Sequence, residues 1–171
     1  MKLTLWKRKL CAAFACLNRK SVWISAGATL VLGIVIAASG TGRYPFIYCL
    51  PKGALSFFFV MIFWGLSYAA LGAALGIFLF SDRCVHDRYR QQTLLLFIFA
   101  LTLAYAWIPL VYKAGCLFFG LLTALLLLGA LILLIRSLWK AVFLAAFLTV
   151  LCGIWAVYVS YYTFSLMLLN G

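Results

Sequence analysis

The residues of this chain whose types and spacing could do chemistry are aromatic rather than ionisable. Trp64 and Tyr68 are spaced i, i+4, which puts both rings on one face of a helix. Trp107 stands two residues before Pro109. Trp155, Tyr158 and Tyr162 share a helical face, with Tyr161 beside them. Brought together, such rings would wall a flat-sided apolar cavity with a few hydroxyl and indole N–H donors. That lining suits a large planar, mostly apolar ligand. The alternative is that the rings pack helix against helix, and composition by itself favours it. Conventional catalytic groups are scarce. The two acids, Asp82 and Asp87, and the single histidine, His86, all lie in one polar stretch, SDRCVHDRYRQQ (81–92). No Asp, Glu, Lys, Arg or His lies deep in an apolar run, so ion-coupled transport finds no intramembrane relay group. Nor is there a nucleophile with a base, a metal set, or a general acid for an ordinary enzyme. His86 reads as a solvated loop residue. Cys11, Cys16, Cys49, Cys84, Cys116 and Cys152 show no metal-ligand spacing, so no metal and no required cofactor are expected.

The elements that must position these aromatics are set by hydropathy. Of 171 residues, 68% are hydrophobic and 9% charged, against about 25% charged in soluble domains. Most apolar runs are about 20 residues long, enough for a helix to cross a hydrocarbon core of roughly 30 Å. Stretches such as LLTALLLLGALILLI do not alternate as barrel strands would, and lipid leaves helices as the other choice. The expected fold is therefore all-α, an integral membrane bundle of five transmembrane helices. The spans are expected near 22–40, 55–80, 93–112, 115–135 and 141–169, with helix 3 broken or kinked at Pro109. Residues 1–21 read as a basic tail and 22–171 as a single domain. The tail is not a secretory signal, because Arg19 and Lys20 interrupt any apolar core. Gly72 and Gly76 form a G-x-x-x-G step and Ala100 and Ala104 a similar small pair. Such pairs let helices approach closely, within the chain or between two copies.

Charge sets the expected orientation. With the N-terminus in the cytoplasm, eleven basic residues fall on the inner side and three (Arg43, Lys52 and Lys113) on the outer. The positive-inside rule then puts the C-terminus outside. The net charge of +12 reads as membrane anchoring. No nucleic-acid binding is expected, since the basic residues sit at helix ends and form no dense patch. Trp23, Tyr44, Tyr48, Tyr89, Tyr112 and Trp139 read as interfacial belt residues. Cys49 and Cys116 fall on the same side, where a disulfide can form.

Several segments, in order, resemble the TspO/translocator protein family, the tryptophan-rich sensory proteins. IFWGLSYAALG (62–72) is similar to the family's I-V-W-T-x-L-Y-x-x-M-G, with Trp64, Tyr68 and Gly72 on its Trp, Tyr and Gly. YAWIPLVY (105–112) is similar to W-S-P-L-F-F through Trp107 and Pro109. LILLIRSLWK (131–140) resembles L-L-x-x-I-R-x-F. In IWAVYVSYYTFSLMLLN (154–170), Trp155, Tyr161, Phe164, Ser165, Leu168, Leu169 and Asn170 fall in register with the family's last helix. The chain departs from the pattern in a shortened first loop, in Ala104 where an Asn is usual, in the lack of an acid over 115–130, and in Leu151 where a proline is usual.

The resemblance, over about 22–170, implies a bundle that binds porphyrins and other flat hydrophobic ligands. It also implies frequent homodimers through helix 3, here Ala100 and Ala104, and a place in a bacterial cytoplasmic membrane. In the family the tryptophans at Trp64 and Trp155 help line the pocket, and some members promote light-dependent porphyrin breakdown. The expected ligand-binding set is Trp64, Tyr68, Trp107, Trp155, Tyr158 and Tyr161, around a cavity open toward the outer side. The expected function is a membrane receptor or sensor for tetrapyrrole-like ligands. A transporter of small hydrophobic molecules or lipids without ion coupling is the alternative, and a ligand-free assembly subunit a third reading.

Overall fold

Five long helices follow one another with short connections. In the computed structural model, residues 19–40, 49–80 and 87–170 are described, apart from the side chains of Arg19, Asp87, Arg88 and Lys140. Most of the basic tail, residues 41–48 of the first loop, and Asp82, Cys84 and His86 lie outside the described residues. The helices are α1 (Arg19–Gly40), α2 (Phe57–Leu79), α3 (Asp87–Tyr112), α4 (Leu117–Ala141) and α5 (Phe143–Asn170). Each contains a segment of 21 to 28 residues long and apolar enough to cross a bilayer. Five membrane-spanning helices and no strand among the described residues match the architecture expected from hydropathy.

The boundaries differ from expectation where charge stood for a loop. α1 starts at Arg19, so the end of the supposed tail is helical. α3 starts at Asp87 and carries Arg88 and Arg90 in its first turns. α4 runs through Arg136 to Ala141, and the extended Val142 alone separates it from α5. Long basic side chains reach the interface from within a helix, so charge ends the membrane span without ending the helix. Pro109 does not end α3, which continues to Tyr112. It sits one turn from the C-terminus, so its missing N–H removes one bond, and its own carbonyl accepts from the Lys113 and Ala114 amides. Gly115, at φ +66°, then reverses the chain into α4.

Packing contacts run α1 to α2, α2 to α5, α5 to α4 and α4 to α3, with α1 closing the ring lightly against α3. α2 and α3 touch sparingly. The α1–α2 seam is the closest. A Cβ on Gly72 would lie 1.9 Å from Thr29 Oγ1 and 2.7 Å from the Ser25 carbonyl oxygen; one on Gly76 would lie 2.2 Å from Ser25 Oγ. Ser25 Oγ donates to the Gly72 carbonyl at 2.7 Å, and Thr29 Oγ1 to the Tyr68 carbonyl at 2.9 Å. The G-x-x-x-G step is thus engaged within the chain. Ala100 and Ala104 are fully buried inside the bundle, which places them away from any surface open to a second copy. They are small because neighbouring helices of this chain occupy the space beside them.

Candidate functional site

The aromatics that the sequence singled out gather on α2, α3 and α5. Trp64 and Tyr68 share a face of α2 as the i, i+4 spacing requires, and their rings stack at 5.5 Å. Trp107 of α3 lies 5.3 Å from Trp64 and is completely buried. Trp155 of α5 meets Trp64 edge-on at 6.3 Å and stacks on Tyr158 at 5.0 Å. Tyr161 is different. It is 55% exposed on the outside of the bundle, and Tyr162 takes the inward position, 6.0 Å from Tyr158. The reason is helical period. Steps of three and four from Trp155 lead to Tyr158 and Tyr162, whereas Tyr161 is turned about 100° away from Tyr162.

The polar atoms of the cluster divide into partnered and orphaned. Tyr68 OH donates to the Ala104 carbonyl at 3.1 Å. Trp107 Nε1 donates to Thr163 Oγ1 at 3.0 Å, and Tyr112 OH to Tyr162 OH at 3.3 Å. Tyr158 OH accepts from the Leu55 amide at 2.9 Å, which ties the loop before α2 to α5. Trp64 Nε1 and Trp155 Nε1 are buried without a hydrogen-bond partner. Buried donors are normally satisfied, because leaving one without an acceptor costs roughly 1–3 kcal/mol.

Beside the cluster lies a cavity of about 270 Å³ between α1, α2 and α3. Trp64, Tyr68, Phe57 and Met61 form its α2 wall, Gly33, Ile34, Ala37 and Ala38 its α1 wall, and Ile108 its contact with α3. Of the six expected residues, Trp64 and Tyr68 line this cavity. Trp107 backs Trp64, Trp155 and Tyr158 stand on its α5 side, and Tyr161 is apart. The α1 wall went unread in the sequence. Gly33 is its clearest signal, a glycine inside an apolar helix, where a Cβ would lie 2.2 Å from the Tyr68 ring. Tyr105 and Tyr112 were also missed as cluster members. Tyr105 packs 4.8 Å from Tyr68 and donates to the Thr29 carbonyl. Tyr112, expected at the interface, is buried. By contrast, Trp23 and Trp139 are exposed near helix ends, as belt residues are. Cys49 and Cys116 are both free thiols. No group of three or more potential metal ligands occurs among the described residues.

Five apolar spanning helices around a buried aromatic cluster and an apolar cavity define an integral membrane protein that fits the sensors and transporters of hydrophobic ligands. The sequence profile of the TspO/MBR family matches residues 25–169, and the chain belongs to that family. No curated protein matches it closely enough to add a relative.

Proposed function

We propose that this protein is a membrane receptor that binds porphyrin-like or other planar hydrophobic ligands against Trp64 and Tyr68. The observation that carries the reading is the orphaned indole donor of Trp64 in the wall of an otherwise apolar cavity, with Trp155, whose Nε1 is also unpartnered, edge-on to it on the α5 side. A tetrapyrrole presents a large flat face for stacking and a few heteroatoms that accept hydrogen bonds. Stacking on an indole contributes about 0.5–1.5 kcal/mol beyond area burial, and an acceptor for the Trp64 donor would remove its desolvation penalty. The cavity is slightly smaller than the roughly 300–1,000 Å³ of drug-sized sites. A macrocycle therefore needs the α1 wall to move outward. α1 is suited to that, because its serine and threonine bonds to α2 lie in its first half, whereas the cavity wall begins at Gly33. The distribution of basic residues adds an orientation with the N-terminus in the cytoplasm, and the family resemblance adds a bacterial cytoplasmic membrane and a homodimer, as expectations of the same reading. Light-dependent porphyrin breakdown and transport without ion coupling are its variants.

The test is a fluorescence titration of purified protein with protoporphyrin in the dark. Saturable indole quenching is expected. Trp64→Ala and Trp155→Ala should each weaken binding by about 1–3 kcal/mol, as for a packed aromatic anchor. If both folded variants bind as tightly as the parent, the tryptophans serve packing alone. Flux of protoporphyrin into proteoliposomes would mark the protein as a transporter.

A further inference from the structure

We infer that the α1–α2 cavity holds one acyl chain of an anionic phospholipid, which enters sideways from the bilayer and keeps its headgroup at Lys113. The inference uses the cavity of the proposed function, rests on that reading for none of its steps, and names what fills the cavity before any planar ligand arrives.

The shape comes first. The α2 wall runs from Phe57 to Tyr68, which at 1.5 Å per residue is about 16 Å along the helix. A groove of that length with a volume of about 270 Å³ is long and narrow, which suits a single hydrocarbon chain laid along it. The cavity also has a side opening. Ile34 and Ala38 line it and are themselves exposed, whereas Gly33, Trp64, Tyr68 and Ile108 at its back are buried. Because α1 and α2 span the membrane, that opening faces lipid and continues the lipid-facing surface of both helices. Its lining is apolar apart from the rings of Trp64 and Tyr68, and the Tyr68 hydroxyl is engaged by Ala104.

In the absence of a planar ligand, physical chemistry then points to one occupant. Water does not fill an apolar groove, which would offer it too few hydrogen-bond partners. A void forfeits the dispersion contacts of its whole lining. In a bilayer the neighbouring material is acyl chain, already at high concentration and of the right width. The charge at the end of the groove selects among lipids. Lys113 Nζ donates to the Ser39 carbonyl at 3.2 Å, one residue beyond Ala38 and in the turn that follows the Ile108 wall. This exposed ammonium therefore stands where the headgroup of an inserted chain would emerge, and it favours a net anionic headgroup over a zwitterionic one.

The experiment is native mass spectrometry of the full chain extracted from vesicles of equal palmitoyl-oleoyl phosphatidylglycerol and phosphatidylcholine. One retained phospholipid per chain is expected, with phosphatidylglycerol favoured about fivefold, the selectivity of one interfacial cation. Gly65→Leu should reduce retention to about a tenth by occupying the groove. A Cβ there meets only Leu30 Cδ1, at 3.5 Å, an ordinary contact, and the folded state of the variant is checked by its thermal midpoint. Lys113→Gln, an exposed change that leaves the core untouched, should keep the chain but abolish the headgroup preference. The inference is overturned if the parent retains no lipid, if it holds both headgroups equally, or if Gly65→Leu retains as much as the parent. A protoporphyrin titration of the same samples separates the two proposals. Lipid retained without protoporphyrin binding leaves the acyl site standing and removes the receptor reading; protoporphyrin binding without retained lipid does the reverse.

Discussion

Trp64 and Trp107 differ by one hydrogen bond, and under the proposed function that difference separates a packing tryptophan from a binding one. Both are buried and their rings are 5.3 Å apart. Trp107 donates to Thr163, whereas Trp64 donates to no partner. Trp107→Phe should therefore cost about 0.5–1.5 kcal/mol for the lost bond, together with the packing of the smaller ring, and should lower the thermal midpoint in detergent. Trp64→Phe removes a donor that has no acceptor. Its midpoint should fall less than that of Trp107→Phe, while protoporphyrin affinity drops about tenfold, close to 1.4 kcal/mol. A Trp64→Phe variant that binds like the parent would assign the orphaned donor no part in ligand capture. Tyr161 supplies the control: it is 55% exposed outside the cluster, and Tyr161→Phe should leave binding unchanged in the same titration.

At the scale of the element, α1 is the least embedded helix, with 11% of its spanning window buried against 39–50% for the others. It is held to α2 by contacts that depend on missing side chains at Gly72 and Gly76. Gly72→Ala puts a methyl into Thr29 and the Ser25 carbonyl, and backbone cannot step aside as a flexible side chain can. Overpacking of this kind costs about 1–3 kcal/mol. The measurable result should be a lower midpoint and faster proteolysis of α1. Gly65→Ala, with its nearest neighbour 3.5 Å away, should leave both unchanged. Equal behaviour of the two variants would show that the seam does not hold α1. Gly33→Ala acts differently, because its methyl meets the Tyr68 ring, a cavity wall. That ring is buried, stacked on Trp64 and bonded through its hydroxyl to Ala104, so it cannot step aside, and weakened protoporphyrin binding together with a lower midpoint is expected.

For the whole molecule, the ends of the bundle carry unequal charge. Among the described side chains, Lys20, Arg90 and Arg136 belong to the end at which α1 begins, and Lys52 and Lys113 to the other. By the positive-inside rule, the wider sequence count of eleven to three leads us to propose that the first end is cytoplasmic. A reporter fused after Gly171 should accordingly read as outside the cytoplasm; cytoplasmic activity would reverse the orientation and move the cavity to the inner leaflet. The other end is also tied together. Asn170 at the close of α5 accepts from the Cys49 amide at 2.7 Å and donates to the Cys49 carbonyl at 3.0 Å. Asn170→Ala should loosen the first loop, seen as faster amide exchange at Cys49.

The number of spans and the i, i+4 faces of Trp64–Tyr68 and Trp155–Tyr158–Tyr162 were legible in the amino acids alone, because hydrocarbon thickness and helical period act on local sequence. Family membership was legible through motifs that keep their order along the chain. Helix ends at Arg19, Asp87 and Ala141 were not, since charge marks where lipid stops and says nothing of where backbone hydrogen bonding stops. Tertiary structure alone decided which small residues face a neighbour. Gly72 and Gly76 look alike as a dimer motif or an internal seam until α1 is laid across them. It alone decided that Tyr162 turns inward where Tyr161 does not, because a helical wheel gives relative angles and the packing of α5 on α2 and α4 sets their origin. The cavity is the furthest from sequence. Its walls come from three helices, and its space exists because α2 and α3 barely touch while Gly33, Ala37 and Ala38 bring little side chain to fill the gap.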